Sequence, residues 1–381
     1  MKKRIVSIIS VVILIFGFGI LIHETTGNVK AEEETVAKVT ENEATASFGD
    51  DAAVSGVYPY NEIAMSNGAI TLSNSELNAI KNNSSVAGLK INSTNGAIIM
   101  DSSYIASLVD QSKGTITFSY NINGSIATVS AKTEGSTIYG NRGLCLISAD
   151  NHGDFYSTVL DSNGVAVGTS CYFEDANMLR WQMVKSETYM FYSNKVSFLD
   201  TENHWSKDYV GFLASRGVVN GVSIGYFSPD SNVTRGQFIA ILHRISKDNG
   251  VAYTNNPYDD VLKDQYYYNA VCWGTDAKII NGRSASKFEP NANISREEMA
   301  TMCCRYLNSL NMDLKAVRTG ADFSDISSVM PYAVTPVKQC HAAGIINGVG
   351  DNRFDPQANA TRGESATIVA GLIAYLTAMP H

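Results

Sequence analysis

Three arginines stand in the same setting in the second half of the chain. Arg235 follows Thr234 and precedes Gln237, Arg296 follows Ser295 and precedes Glu298, and Arg362 follows Thr361 and precedes Glu364. Each setting fits a capping box, in which a hydroxyl caps the first turn of a helix and a Glu or Gln three residues on reciprocates. A helix N-terminus offers backbone N–H groups and the positive end of the helix dipole, and a carboxylate there gains about 0.3–1 kcal/mol. A guanidinium in the same turn adds a planar, bidentate partner. Trp205, Tyr266 and Tyr332 occupy corresponding positions upstream and would supply the flat apolar surface that the C–H face of a sugar needs. Together these residues suit capture of a charged carbohydrate. Two structural alternatives stay open. The arginines can instead pair with Asp200, Asp260 or Asp325 of their own or a neighbouring unit, and an aromatic at the start of an amphipathic helix can belong to the core.

The elements that would position these residues recur. GVVNGVSIGYFSPDSNVTRGQ runs from Gly217, KIINGRSASKFEPNANISREE from Lys278 and GIINGVGDNRFDPQANATRGE from Gly344. Gly221, Gly282 and Gly348 precede Phe227, Phe288 and Phe354 by one constant interval. A period of about sixty residues means three copies of one structural unit. Each copy opens on an aromatic and an Asp (Phe198 and Asp200, Tyr258 and Asp260, Phe323 and Asp325) and continues with apolar residues at helical spacing, such as Tyr209, Val210, Phe212 and Leu213. Next come an Asn-Gly turn, where glycine would accept a positive φ, and a Phe-x-Pro segment that cannot continue a helix. The capped second helix, with its arginine in the first turn, follows.

This motif set resembles the S-layer homology domain, a module that holds proteins on bacterial cell walls. The resemblance rests on the Phe-x-Asp opening, Trp205, the Gly-hydrophobic-hydrophobic-Asn-Gly turn, Phe-x-Pro and the Thr-Arg-x-Glu-like helix start, and it covers about half the chain. The second copy departs from it with Tyr258 at the opening and Lys278 at the first Gly of the turn. The resemblance implies three mainly helical units assembled around a pseudo-threefold axis. It also implies binding of a pyruvate-bearing secondary cell-wall polysaccharide in the grooves between units, with Arg235, Arg296, Arg362, Trp205, Tyr266, Tyr332, Asp200, Asp260, Asp325, Gly221, Gly282 and Gly348 as the polysaccharide-binding set. Other envelope proteins are further candidate partners.

The N-terminus points to export. Lys2, Lys3 and Arg4 precede an apolar run from Ile5 to Ile22, and a Val-Lys-Ala sequence ends at Ala31, so residues 1–31 read as a secretory signal peptide. The run also reaches the length of a membrane span, and a membrane association follows only if the segment stays uncleaved. With no hydrophobic tail or sorting-type motif at the other end, retention at the wall would fall to the repeats or to this segment. Removal of residues 1–31 takes away four cations and one anion and moves the formal charge from −8 to −11. A chain this acidic is no general polyanion binder, which argues against nucleic acid. Residues 32–51 read as an acidic, solvated linker. The repeats are placed at 196–254, 255–318 and 319–381.

Residues 52–195 read as a separate, displayed β-rich domain, so that the fold class is α+β in two parts. Ser73 and Glu76 form a capping box ahead of Leu77 and Ile80, Val86–Ile91 reads as a strand, and Asp101 can cap a helix through Tyr104, Ile105 and Leu108. Thr115–Ile122, Asn123-Gly124 and Ser125–Thr133 give a hairpin signal. A meander of Gly143–Ser148, Phe155–Leu160 and Val165–Phe173 is expected after it. The six cysteines lack zinc spacing. They read first as buried thiols, with a Cys145–Cys171 bridge or a link from Cys272 to the second helix as alternatives. Asp150 to Asp154 has turn chemistry, with calcium binding by Asp150 and Asp154 or acid–base catalysis as rivals. No cofactor site or catalytic constellation is recognised. The expected function is noncovalent anchoring of a domain with a structural or adhesive role, and the rival is a wall-anchored hydrolase acting on glycan or peptidoglycan.

Overall fold

A computed structural model describes Lys38–Asn42 and residues 58–378, apart from 95, 135, 138–144, 149–155, 174–177, 184–186, 247–250, 311, 313, 315 and 319–321. The expected signal peptide and most of the expected linker lie outside the described residues, as do Asp150 and Asp154. Among the described residues no helix is long and apolar enough to cross a membrane.

The first part is β-rich. Its strands are β1 (Lys38–Asn42), β2 (Tyr58–Ala64), β3 (Ala69–Ser73), β4 (Gly88–Ser93), β5 (Gly96–Asp101), β6 (Thr115–Asn123), β7 (Ile126–Thr133), β8 (Ser136–Thr137), β9 (Cys145–Ser148), β10 (Ser157–Leu160), β11 (Ser170–Phe173), β12 (Met178–Gln182) and β13 (Glu187–Ser193). One sheet has the order β1-β2-β4-β5-β9-β12-β11 and the other β10-β13-β7-β6-β3, with β8 beside β7. Alternation drives the assembly: Ile116, Phe118, Tyr120 and Ile122 of β6 and Ala127, Val129 and Ala131 of β7 are buried, with their neighbours turned outward. Helix α1 (Asn74–Lys81) starts at the expected Ser73–Glu76 capping box. Helix α2 (Ser102–Gln111) starts at Asp101, whose carboxylate accepts from Tyr104 N at 2.6 Å.

The hairpin over Asn123-Gly124 is as expected, and the meander is not. β9 pairs with β5 and β12 in the first sheet, whereas β10 pairs with β13 in the second. The three strands of the expected meander therefore alternate, with β9 and β11 in the first sheet and β10 in the second. The cause is burial on both sides: Thr158 and Val159 of β10 are both fully buried, so the strand lacks the half-exposed pattern of a meander.

The second part is helical. Its helices come in pairs: α3 (Lys207–Ser215) and α4 (Arg235–Ile245), α5 (Tyr268–Asp276) and α6 (Arg296–Ser309), α7 (Val334–Ala342) and α8 (Arg362–Ala378). Pairs interlock instead of standing alone, because α3 packs on α8, α5 on α4 and α7 on α6. The first helix of each repeat thus lies against the second helix of the repeat before it, and the third repeat closes onto the first. The backbone at the centre repeats this cycle. Val233 N donates to Ala360 O at 3.0 Å, Ala360 N to Ile294 O at 3.0 Å, and Ile294 N to Val233 O at 3.1 Å. All three residues are fully buried, and the ring of three bonds marks the pseudo-threefold axis.

The two parts are packed together. Cys171 of β11 belongs to the core of the helical part, and Arg216, at the end of α3, donates from Nη2 to Ser157 O at 2.7 Å and from Nε to Ser170 O at 2.5 Å. Gln182 of β12 donates to Leu376 O at 3.3 Å. The five described cysteines, Cys171, Cys272, Cys303, Cys304 and Cys340, are buried free thiols. Neither Cys171 nor Cys272 is bridged, and the side chain of Cys145 lies outside the described residues.

Candidate functional site

The capping boxes form at all three second helices. Thr234 Oγ1 accepts from Gln237 N at 3.2 Å while Gln237 Oε1 accepts from Thr234 N at 3.0 Å, and the Ser295–Glu298 and Thr361–Glu364 pairs do the same. The next two amides are used across the repeat boundary. Arg235 N donates to Ala292 O and Gly236 N to Pro290 O; Arg296 N donates to Ala358 O and Glu297 N to Pro356 O; Arg362 N donates to Ser231 O and Gly363 N to Pro229 O. The expected open anion site at the helix N-termini is therefore closed, because the Phe-x-Pro loop of the neighbouring repeat supplies the acceptors that a ligand would have supplied.

The arginines cross the same boundaries. Arg235 lies over the ring of Phe288, donates from Nε to Phe288 O at 2.9 Å and from Nη2 to Asn281 O at 2.9 Å. Arg296 does this with Phe354 and Asn347, and Arg362 with Phe227 and Asn220. All three are buried, and burial pulls each guanidinium below its ordinary pKa, against the opposing pull of nearby acidic groups. Their ion pairs are not with the opening Asp residues. Arg235 Nη1 meets Glu298 Oε1 at 2.6 Å and Arg296 Nη1 meets Glu364 Oε1 at 2.9 Å, so the acid is the capping-box glutamate of the next repeat.

Asp200, Asp260 and Asp325 hold backbone instead. Asp200 accepts from the amides of Phe227 and Ser228, Asp260 from Phe288 and Glu289, and Asp325 from Phe354 and Asp355. In each pair the second residue is left-handed, at φ 57°, 58° and 56° for Ser228, Glu289 and Asp355. A carboxylate bridging two successive amides stabilises a conformation that these side chains otherwise resist. No sequence signal marks these three positions except the column they share.

Gly221, Gly282 and Gly348 also have a different reason from the one expected. None has a positive φ; the left-handed residues of the turn are Gly217, Lys278 and Gly344. A Cβ on Gly282 would lie 2.4 Å from Ser284 O and 2.6 Å from Tyr258 Cε1, and on Gly221 2.6 Å from Tyr226 O and 2.7 Å from Phe198 Cε1. These glycines let the backbone approach the opening aromatic ring.

Trp205, Tyr266 and Tyr332 are 57%, 63% and 48% exposed, so they are surface groups. Two grooves show what they face. The first, about 310 Å³, is lined by Asn220, Gly221 and Gln237 of the first repeat, Tyr266 of the second and Arg362 of the third. The second, about 370 Å³, is lined by Asn281, Gly282 and Glu298 of the second repeat, Tyr332 of the third and Arg235 of the first. Both sit at the small end of ligand clefts, about 300–1,000 Å³. Arg296 meets the corresponding turn and acid of the third repeat, donating to Asn347 O at 3.0 Å and pairing with Glu364. Both grooves take their turn, their arginine and their aromatic from three different repeats.

The S-layer homology domain family matches this chain at residues 197–239, 257–300 and 322–366. The C-terminal half is three S-layer homology domains. Among relatives, an amylopullulanase of Thermoanaerobacterium thermosulfurigenes is 33% identical over 46% of this chain and 9% of its own length. The exoglucanase XynX of Acetivibrio thermocellus is 35% identical over 47% and 16%. A surface-layer 125 kDa protein of Lysinibacillus sphaericus is 27% identical over 46% and 15%. The chain thus spans less than a fifth of the length of these relatives, and the shared part is the S-layer homology region. S-layer homology domains anchor surface proteins to the cell wall. Among the described residues no group of acidic, His and Cys side chains is placed to hold a metal ion.

Proposed function

We propose that the three S-layer homology domains hold this protein on the cell wall by noncovalent binding of a pyruvylated secondary cell-wall polysaccharide. The β-rich part is carried on that anchor in a structural or adhesive role without catalysis. The observation that supports this is the recurrence, around one axis, of a cleft that joins an exposed aromatic, a buried arginine and an Asn-Gly turn from three repeats. An aromatic face beside a fixed guanidinium suits a sugar that carries negative charge. Repetition adds avidity, because one polymer can occupy several clefts. The contacts of Cys171 and Arg216 across the two parts would hold the displayed part at a fixed attitude to the anchor.

The test uses the full chain with purified walls. Cosedimentation should be strong and should be displaced by soluble polysaccharide released from the same walls. Binding that survives saturating polysaccharide, or that goes to bare peptidoglycan, would overturn this assignment.

A further inference from the structure

Where the first helix of one repeat lies on the second helix of the repeat before it, the facing positions recur in register. Counting on from the caps Thr234, Ser295 and Thr361 gives His243, Cys304 and Ala370, and counting back from Gly221, Gly282 and Gly348 gives Leu213, Gly274 and Cys340. The contact of α4 with α5 therefore pairs His243 with Gly274, and that of α8 with α3 pairs Ala370 with Leu213. At the contact of α6 with α7 both positions are cysteines, Cys304 from the second repeat and Cys340 from the third.

The two sulfurs are placed reciprocally. Cys340 Sγ donates at 3.5 Å to the carbonyl of Ala300, one turn before Cys304 on α6, and Cys304 Sγ donates at 3.2 Å to Oε1 of Gln339, the residue before Cys340 on α7. A helical side chain leans toward the preceding turn, so the Cys304 side chain points to the carbonyl that Cys340 occupies. The equivalent positions of the first and second repeats approach just as closely, since a Cβ on Gly274 would lie 2.9 Å from Cδ1 of Ile239, one turn before His243. The two thiols also share a hydrogen bond, which holds Cys304 below the ordinary thiol range and, together with burial, Cys340 well above it. Cys304 is thus the readier nucleophile and Cys340 the resolving thiol.

The S-layer homology domains place this chain at the cell surface, where no reducing thiol pool protects such a pair. We propose that Cys304 and Cys340 are a modification site, closing into a disulfide that ties the second repeat covalently to the third. The oxidant is an external disulfide. The Cys304 thiolate attacks one of its sulfurs, forming a mixed disulfide and releasing the first leaving thiolate. Cys340 then gives up its proton and attacks Cys304 Sγ, and the second leaving thiolate departs. Two protein thiols lose two electrons and two protons, and the oxidant leaves as two thiols. Because both cysteines are buried in the finished fold, the exchange takes place before α7 docks on α6.

The experiment refolds the full chain in a buffer of oxidised and reduced glutathione, alkylates the remaining thiols in denaturant, and maps the linked peptides by mass spectrometry. Cys304 and Cys340 should escape alkylation, joined to each other, and reduction should lower the melting temperature by about 5 °C or more. Cys303→Ala, which removes the neighbouring thiol on α6, should keep both the link and the shift. Cys340→Ser with a native circular dichroism spectrum should melt at one temperature with and without reductant. Alkylation of both Cys304 and Cys340 in the refolded wild type, or a link from Cys340 to Cys303 or Cys272 instead, would overturn the inference.

Discussion

Arg362 in the third repeat donates from Nε to the carbonyl of Phe227 in the first, at 2.8 Å across 135 residues of sequence. This bond closes a cycle whose other two members are Arg235 to Phe288 and Arg296 to Phe354. The arginine of each helix start is therefore a clamp on the next repeat before it is anything else, and at Arg235 and Arg362 only what remains of the guanidinium faces a groove.

The clamps should differ in strength. Arg235→Ala leaves two buried carbonyls without their donor and takes one of two guanidiniums from Glu298, which keeps Arg283; breaking one side of a buried pair costs about 3–5 kcal/mol, and the remaining partner puts this loss at the lower end. Arg362→Ala removes hydrogen bonds from a charged group without an ion pair and should cost about 1.5–3 kcal/mol. Denaturant unfolding of the two variants checks the order. A less stable Arg362→Ala would contradict the pairing scheme.

The caps stabilise each second helix locally. Thr234→Ala, Ser295→Ala and Thr361→Ala should each lose about 0.5–2 kcal/mol, read as a lower melting temperature with wall binding retained below the transition. Loss of binding in Thr234→Ala without a thermal shift would make the hydroxyl a ligand contact.

These caps were legible because a capping box is written within four residues. So were the first helices, the β6–β7 hairpin and the threefold recurrence, all of which depend on spacing alone. The partners of Arg235, Arg296 and Arg362 were not, since each arginine meets carbonyls 46 to 142 residues away. Local reasoning left the helix N-termini open, and only the packing of neighbouring Phe-x-Pro loops shows them filled. The exchange of strands between two sheets was hidden for the same reason, because β9 finds β5 and β10 finds β13 through long-range pairing.

Lys278 tests the backbone argument on its own. It holds φ 57° where the other two repeats use Gly217 and Gly344, and a left-handed residue with a Cβ carries a penalty of about 1–2 kcal/mol. Lys278→Gly should therefore raise stability by about 1 kcal/mol or less, after the added flexibility of the unfolded chain is counted. Gly217→Ala, with no atom within 4 Å of the new Cβ, should lower it by a comparable amount. Equal melting temperatures in all three proteins would contradict this.

The junction between the two parts rests on one buried side chain. Arg216 is fully buried and bonds to carbonyls of both β10 and β11. Arg216→Ala should leave those carbonyls unsatisfied at about 1–3 kcal/mol each and should split a single calorimetric transition into two. A single, unshifted transition would mean that the parts are not coupled through this residue.

The most direct measurement is cosedimentation of the full chain with purified cell walls before and after mild acid removal of their pyruvate ketals. Binding to intact walls that falls at least tenfold on treated walls is the result expected from a guanidinium-lined groove awaiting a carboxylate. Equal binding to both would contradict recognition of a pyruvylated polysaccharide.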